Sequence, residues 1–447
     1  MQTEVTLVRW VGAAVLLVSG TGACGDTGDE LPSVGGSSGA GGSAGSSAGQ
    51  PGSAGYPSVA GAGGGGAGGV GGVGGGGRAG SGPVEPGDPA CSPQACSEAS
   101  FCFEPSGQSC ACPADALEAC APAVFQTLPF PLGARDCYAR QISADGARVL
   151  GACRATQQSV TQQAIRWLST GIDQVLADVP VLESAIADDD SRLLWTDQDA
   201  AGFSRAFIRH PDAGVPRDQR IEAPLAAPNH VSVFAFTSDL NVVVGAFGNV
   251  EGPSQPFRWS AGGGFVALTP SPFGGVAYGV SADGTVVVGS GNGQLQVSTP
   301  KAWSADGQER VLPLPDGAPG AIAFAASADG SVIVGYSFDP VRALRWTSAG
   351  VEVIGEAGSS AEVVSDDGSR AFGNAAGDSR RAGVWDAANG FRLLEDVLAE
   401  AGALDPVWLI DRVYDVSSDG RTLVGLARRR DEPSVEGRLY AFRARLP

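Results

Sequence analysis

The chain has 447 residues, more than one ordinary core accommodates. It carries 67 glycines and a net charge of −19, with Lys301 the one lysine among 29 basic residues. That acidity excludes nucleic acid and anionic lipid surfaces as expected partners, because both need clustered cations.

Residues 1–23 are predicted to form a signal peptide. Arg9 supplies the charge, Trp10 to Val18 the apolar run, and Thr21, Gly22 and Ala23 are small residues ahead of Cys24. The run is too short to remain as a spanning helix. Small residues directly before a cysteine resemble the bacterial lipobox, and the resemblance implies cleavage there and lipidation of Cys24. Thr21 departs from the aliphatic residue usual in that pattern, and Glu4 weakens the charged start. Of the nine cysteines, a lipidated Cys24 leaves an even number free to pair. The expected location is the bacterial outer membrane or cell surface, the lipid being the only membrane contact; without it the chain would be secreted.

Residues 24–90 follow as a linker. Between Gly35 and Gly82, 24 of 48 positions are glycine, and such a segment cannot bury enough apolar surface to offset its ordering entropy. About 60 flexible residues span roughly 40–45 Å. Within it, Gly41 to Gly45 match a nucleophile elbow and Gly61 to Gly66 match G-x-G-x-x-G, but neither follows a strand or opens a helix.

Residues 91–121 contain Cys91, Cys96, Cys102, Cys110, Cys112 and Cys120. So short a segment cannot hold a core, and cross-links replace one. A zinc site is the competitor, disfavoured by the oxidising compartment and the lack of a nearby histidine. From spacing alone fifteen connectivities stay open. The single residue between Cys110 and Cys112 resembles the EGF-like module. That resemblance implies the pairs Cys91–Cys102, Cys96–Cys110 and Cys112–Cys120, although the last segment lacks the glycine and aromatic usual there.

Residues 122–447 repeat one phrase, clearest from Val280 to Gly289. Its aspartates are Asp145, Asp239, Asp283, Asp329, Asp367 and Asp419, each followed six positions later by glycine; a worn copy at Asp189 fills the double gap and makes seven. A second phrase of the type Ala-x-Arg-Trp ends at Trp167, Trp259, Trp303, Trp346 and Trp385, with Arg209 and Ala444 replacing the tryptophan in the other copies. The β-branched Val-Val-Val-Gly run predicts a buried strand. Ser-x-Asp-Gly predicts a structural turn in which aspartate and serine oxygens cap amides and glycine takes positive φ. A three-residue loop, Ala144-Asp145-Gly146, closed by Ser143 and Ala147, makes facing residue numbers add to 290; Cys137 and Cys153 obey that rule and are predicted to be disulfide-bonded.

Each unit supplies about four short strands that cannot bury both faces alone, so the units are expected to circle an axis, the tryptophans wedged between neighbouring sheets. The last copy lacks a fourth strand. Val124 to Pro129 match Phe265 to Pro270 and are expected to supply it, giving an all-β, seven-bladed propeller sealed by an N-terminal strand. An open solenoid is the alternative. The strings of Ser-Ala-Asp-Gly, Val-Val-Gly and Ala-x-Arg-Trp resemble the HAF-repeat family of bacterial extracellular proteins, a resemblance that implies a surface location and no particular activity.

Only His210 and His230 are available to a histidine-dependent site, each near a predicted loop in a different part of its blade; their number argues against a histidine-rich metal centre, and no serine stands in an elbow outside the linker to build a Ser-His-Asp triad. Asp188, Asp189, Asp190, Asp197 and Asp199 form the densest acidic patch; Asp188, Asp190, Asp197 and Asp199 are the candidate Ca²⁺ ligands, without EF-hand spacing. No other cofactor is indicated. The expected function is a monomeric, non-catalytic surface scaffold that binds an extracellular protein or glycan through propeller loops. The alternatives are a propeller enzyme acting on polysaccharide or lactone, with charged side chains converging on the axis, and a passive adhesion module.

Overall fold

The computed structural model describes residues 101–103, 109–111, 123–156, 162–168, 171–181, 183–188, 191–199, 202–210, 217–224, 229–249, 252–268, 273–292, 298–377, 381–432 and 437–447. The signal peptide, Cys24, the linker, Cys91, Cys96, Cys112, Cys120, Asp189 and Asp190 lie outside them. In the cysteine module the described backbone is a hairpin of β1 (Phe101–Phe103) and β2 (Ser109–Ala111), whose register sets Cys102 opposite Cys110.

Seven four-stranded antiparallel sheets follow among the described residues. The first strand of the ring, β3 (Val124–Thr127), belongs to the last blade. Blade 1 is β4 (Asp136–Ile142), β5 (Val149–Arg154), β6 (Gln162–Leu168) and β7 (Gly171–Val181). Blade 2 is β8 (Glu183–Ile186), β9 (Leu193–Gln198), β10 (Ser204–His210) and β11 (Arg217–Arg220). Blade 3 is β12 (Asn229–Phe236), β13 (Val242–Asn249), β14 (Gln255–Ser260) and β15 (Gly264–Ala267). Blade 4 is β16 (Gly275–Val280), β17 (Val286–Asn292), β18 (Ser298–Ser304) and β19 (Glu309–Val311). Blade 5 is β20 (Ala321–Ala326), β21 (Ile333–Ser337), β22 (Arg342–Thr347) and β23 (Gly350–Val353). Blade 6 is β24 (Val363–Val364), β25 (Arg370–Asn374), β26 (Ala382–Asp386) and β27 (Gly390–Leu393), followed by helix α1 (Leu394–Glu400). Blade 7 is β28 (Trp408–Val416), β29 (Thr422–Arg429) and β30 (Tyr440–Arg445), completed by β3, with Val124 opposite Arg445 and Thr127 opposite Phe442. The N-terminal strand therefore closes the ring.

The repeated glycine six residues after the turn aspartate has a backbone cause. The first strand of the blade carries a β-bulge: one extra residue falls between Ala139 and Gln141, Val233 and Ala235, Ala277 and Gly279, Ala323 and Ala325, and Val413 and Asp415. The bulge pushes a carbonyl toward the second strand. A Cβ on Gly151, Gly245, Gly289, Gly335, Gly373 or Gly425 would lie between 1.8 and 2.0 Å from that oxygen, so only glycine fits. Blade 2 tests the rule from the other side. Trp195 replaces the glycine there, and the pairing of β8 with β9 runs without a register shift.

The bulge also corrects the three-residue loop. Ser143 N donates to Arg148 O at 2.9 Å, so four residues lie in the loop and facing numbers near it add to 291. Arg140, the extra residue, absorbs the offset and restores the sum of 290 beyond it, where Cys137 faces Cys153. These two cysteines are disulfide-bonded, with Cα atoms 4.1 Å apart. In the same turn Ser143 Oγ donates to Asp145 Oδ1, which also accepts from Ala147 N at 2.9 Å. The arrangement recurs with Thr237 and Asp239, Ser281 and Asp283, Ser327 and Asp329, Ser365 and Asp367, and Ser417 and Asp419. Leu240 takes the positive φ that glycine takes in the other described copies, at 53°.

Six buried apolar clusters each bridge two consecutive blades. Trp167, Trp259, Trp303, Trp346 and Trp385 each sit in the cluster shared with the preceding blade. The indoles of Trp167 and Trp346 donate to Pro129 O and Pro313 O at 2.8 and 2.7 Å, which satisfies their one polar atom. Helix α1 had no counterpart in the sequence reading. Leu394 and Leu398 bury one face of it in the cluster of blades 6 and 7, and it occupies the longest interval between repeats.

Candidate functional site

First strands of successive blades lie against one another: β12 on β16, β16 on β20, β20 on β24, β24 on β28, and β28 on β4. They form the inner ring. The bulge places its extra residue on that ring, and counting back five positions from the turn aspartate gives Arg140, Ser184, Phe234, Tyr278, Phe324, Glu362 and Tyr414 in blades 1 to 7. All of these but Ser184, whose blade has no bulge and whose side chain is outside the description, are half-buried.

The ring divides into two arcs. Across blades 3 to 5, Phe234 meets Tyr278 edge to face at 5.6 Å between centroids, and Tyr278 stacks on Phe324 at 5.0 Å with planes 10° apart. Phe324 lies 6.3 Å from Tyr336, which contacts Phe338 at 5.8 Å. Across blades 6, 7 and 1 the arc is polar. Glu362 accepts from Ser360 Oγ and Asn374 Nδ2, both at 2.9 Å, and Arg412 approaches it at 3.4 Å. The Arg140 guanidinium stands 5.3 Å from the Tyr414 ring and 5.6 Å from the Tyr138 ring, and Arg154 is 5.3 Å from Tyr138 on another side. Burial pushes the Tyr138 phenol up to about 12, against the lowering effect of Arg154. Burial likewise raises Tyr278, partly countered by its hydrogen bond with Ser290.

Nearer the Ser-x-Asp-Gly turns lies Asp415. It accepts from Ile142 N at 2.9 Å and Val416 N at 2.8 Å. Burial raises its pKa to about 7; those two amides oppose the shift, and the like charges of Asp366 and Asp188 add to it.

The residues singled out by sequence are dispersed. The six described turn aspartates stay on six separate turns. Asp197 is held by Arg205, and Asp199 accepts from Phe203 N at 3.0 Å. Asp188 Oδ2 lies 3.3 Å from Ala144 N, and Asp190 is outside the described residues. No group of three or more metal-ligating side chains occurs among the described residues. His230 Nε2 lies 3.1 Å from Ser254 Oγ, and burial lowers its pKa. No carboxylate is seen to orient that ring, so a nucleophilic triad is not assembled among the described residues. The His210 side chain lies outside them.

Two surface grooves of about 590 and 410 Å³ flank blade 6, sharing Arg370, Asp386 and Asn389. Their charged groups are already engaged. Asp386 caps its own turn through Ala388 N and Asn389 N, Arg370 donates to Gly420 O, Arg345 stacks on Trp385, and Arg392 pairs with Glu400. The axial ring, which joins stacking faces to hydrogen-bonding groups, is the better candidate. Sequence reasoning passed it over, although the column Arg, Ser, Phe, Tyr, Phe, Glu, Tyr was visible once the repeat was aligned.

No protein-family model matches this chain, and no curated protein matches it. Solved structures similar to it include oligogalacturonate lyase from Vibrio parahaemolyticus, 13% identical over 73% of this chain and 97% of that one, with a TM-score of 0.45. The β-propeller domain of the Trilobed protease from Pyrococcus furiosus is 12% identical over 72% and 95%, with a TM-score of 0.45. TolB from Acinetobacter baumannii is 15% identical over 74% and 82%, with a TM-score of 0.35. At such identities and scores these likenesses carry no functional argument.

Proposed function

We propose that this protein is a non-catalytic binding scaffold of the bacterial surface that takes a protein or glycan ligand at the propeller axis. The single observation that carries the reading is the inner ring itself: six half-buried side chains, aromatic on one arc and hydrogen-bonding on the other, held by rigid strands. Rigid mounting keeps the ordering cost of binding low. The lipobox-like segment at Cys24 and the long glycine-rich linker support a tethered location, as does the resemblance to HAF-repeat proteins. The test is binding of the full-length chain to arrayed glycans and purified surface proteins, with Tyr278→Ala and Arg140→Ala as axial variants. Binding that neither variant weakens overturns the axial site. For the tether, Cys24→Ser is expected to move the chain from the membrane fraction to the soluble one; retention in the membrane refutes lipidation at that position.

One observation favours a second reading, a propeller enzyme acting on polysaccharide or lactone: Glu362, Arg412, Arg140 and Tyr414 do converge on the ring. Acid–base chemistry needs a group poised at the substrate with a free lone pair or proton, and Glu362 is already held by hydrogen bonds from Ser360 and Asn374 and by the Arg412 ion pair. Turnover of a polysaccharide or lactone that Glu362→Gln abolishes would establish the enzyme instead.

A further inference from the structure

We infer that the aromatic arc of Phe234, Tyr278 and Phe324 is a platform for an uncharged pyranose of a glycan; this rests on the reading of the axis as the binding site. The argument starts from geometry. Tyr278 and Phe324 are nearly parallel, yet their centroids are 5.0 Å apart, so they are offset and each leaves part of a face uncovered. Phe234 extends the surface by its contact with Tyr278 at 5.6 Å. All three are half-buried on first strands of consecutive blades, so the strands rather than loops fix their spacing. The rings follow one another along an arc, Tyr278 and Phe324 as offset parallel faces and Phe234 tilted 62° to Tyr278, and do not box in a point, so a ligand that lies along the arc meets successive ring surfaces in a way a small cation would not.

A pyranose is such a ligand. Its axial C–H bonds present a flat, weakly electropositive face to the negative face of an aromatic ring. Its hydroxyls need donors and acceptors at the rim, and the same ring of strands supplies the Tyr414 hydroxyl and the Arg140 guanidinium. Charge then selects among stacking ligands. The chain carries −19 with one lysine, which repels nucleotides and polyuronates alike. Near the arc, Arg412 is matched by Glu362 at 3.4 Å. A neutral sugar has no such repulsion to overcome.

The experiment is isothermal titration of the full-length chain with cellohexaose, xylohexaose, mannohexaose and chitohexaose, with oligogalacturonate as the charged comparison. At least one neutral hexaose is expected to bind saturably. Phe324→Leu, which keeps apolar volume and removes the ring, and Tyr278→Ala should each weaken it about tenfold, whereas Tyr278→Phe should not. Melting curves establish that the variants fold, and Phe324→Leu carries the test if Tyr278→Ala does not. No heat from any neutral hexaose at millimolar concentration overturns the inference. Binding of oligogalacturonate alone, lost in Arg140→Ala and kept in Tyr278→Ala, overturns the sugar class while sparing the axis. A neutral hexaose whose binding no axial variant weakens overturns both.

Discussion

Gly335→Ala puts the bulge rule under load. The added Cβ would lie 1.9 Å from Ile322 O, whereas a carbon and a carbonyl oxygen approach to roughly 3.3 Å. Alanine has no torsion that could relieve this, so β20 and β21 must part or the bulge must shift. Overpacking of that kind costs about 1–3 kcal/mol, and two disturbed ladder hydrogen bonds add about 1 kcal/mol each. The stiffer unfolded chain returns about 0.4–1 kcal/mol, leaving about 3 kcal/mol. For a ring of about 325 residues the unfolding entropy near the midpoint is about 0.7 kcal/mol/K, so the melting temperature should fall by about 4 °C. Gly262→Ala is the comparison, since nothing lies within 4 Å of its Cβ position and its φ is not positive; it should melt within about 1 °C of the parent. Calorimetry on both variants decides. Equal melting of Gly335→Ala and the parent would show that the carbonyl clash does not explain the repeated glycine.

Three further outcomes are expected. The double variant Cys137→Ser, Cys153→Ser should lose about 3 kcal/mol in urea titration, from a cross-link spanning a separation of 16 residues, and reductant should shift its midpoint less than it shifts the parent's. Trp346→Ala, which empties a buried wedge, should cost about 3–5 kcal/mol by the same titration, whereas Trp195→Ala, at a half-buried position, should cost far less. Stability should pass through a maximum in pH near the ordinary aspartate range and fall on either side. At Asp145 the Ser143 hydroxyl, and at Asp329 the Ser331 amide, hold the carboxyl below the ordinary 3.8; at Asp239, Asp283, Asp367 and Asp419 burial pulls upward but the hydroxyl and amide donors outweigh it. Their contribution is present above the ordinary aspartate range and lost as pH falls below it. Asp415 runs the other way. Its folded pKa of about 7 exceeds the unfolded value, so its contribution is full in acid and is lost as pH rises through 7. Melting curves of Asp415→Asn across pH 5–8 should lack that decline, and an unchanged profile would refute the assignment.

The ring was legible in sequence because a repeat is a global signal: seven turn phrases, five tryptophan wedges and a displaced strand all point to one closure. The bulge was not read, and the loop beside Asp145 was taken one residue too short, because the extra residue at Arg140 cancels the error by the time the chain reaches Cys137. A correct disulfide thus rested on two compensating offsets. The axial side chains were missed for a related reason. Repeat reading favours positions that stay constant, such as aspartate and glycine, and these turn out to serve the backbone. The column that varies between Arg140 and Tyr414 holds the side chains of the proposed site, because differing blades are what make an axis asymmetric. Helix α1 escaped because its apolar positions, Leu394, Val397 and Leu398, are too few for a periodic signal over seven residues.

Closure by β3 has a mechanical side. A pull arriving along the residues that precede it acts first on Val124 and opens the seam with β30 pair by pair, from Arg445 toward Phe442, so each step strains only a local bond. Past that seam the load runs into β4 at Asp136, clasped by Arg154 and by Leu439 N, and then into the sulfur bridge from Cys137. A tugged molecule would therefore shed its clasp under modest tension and hold fast one blade further in, a built-in stop just past the seam.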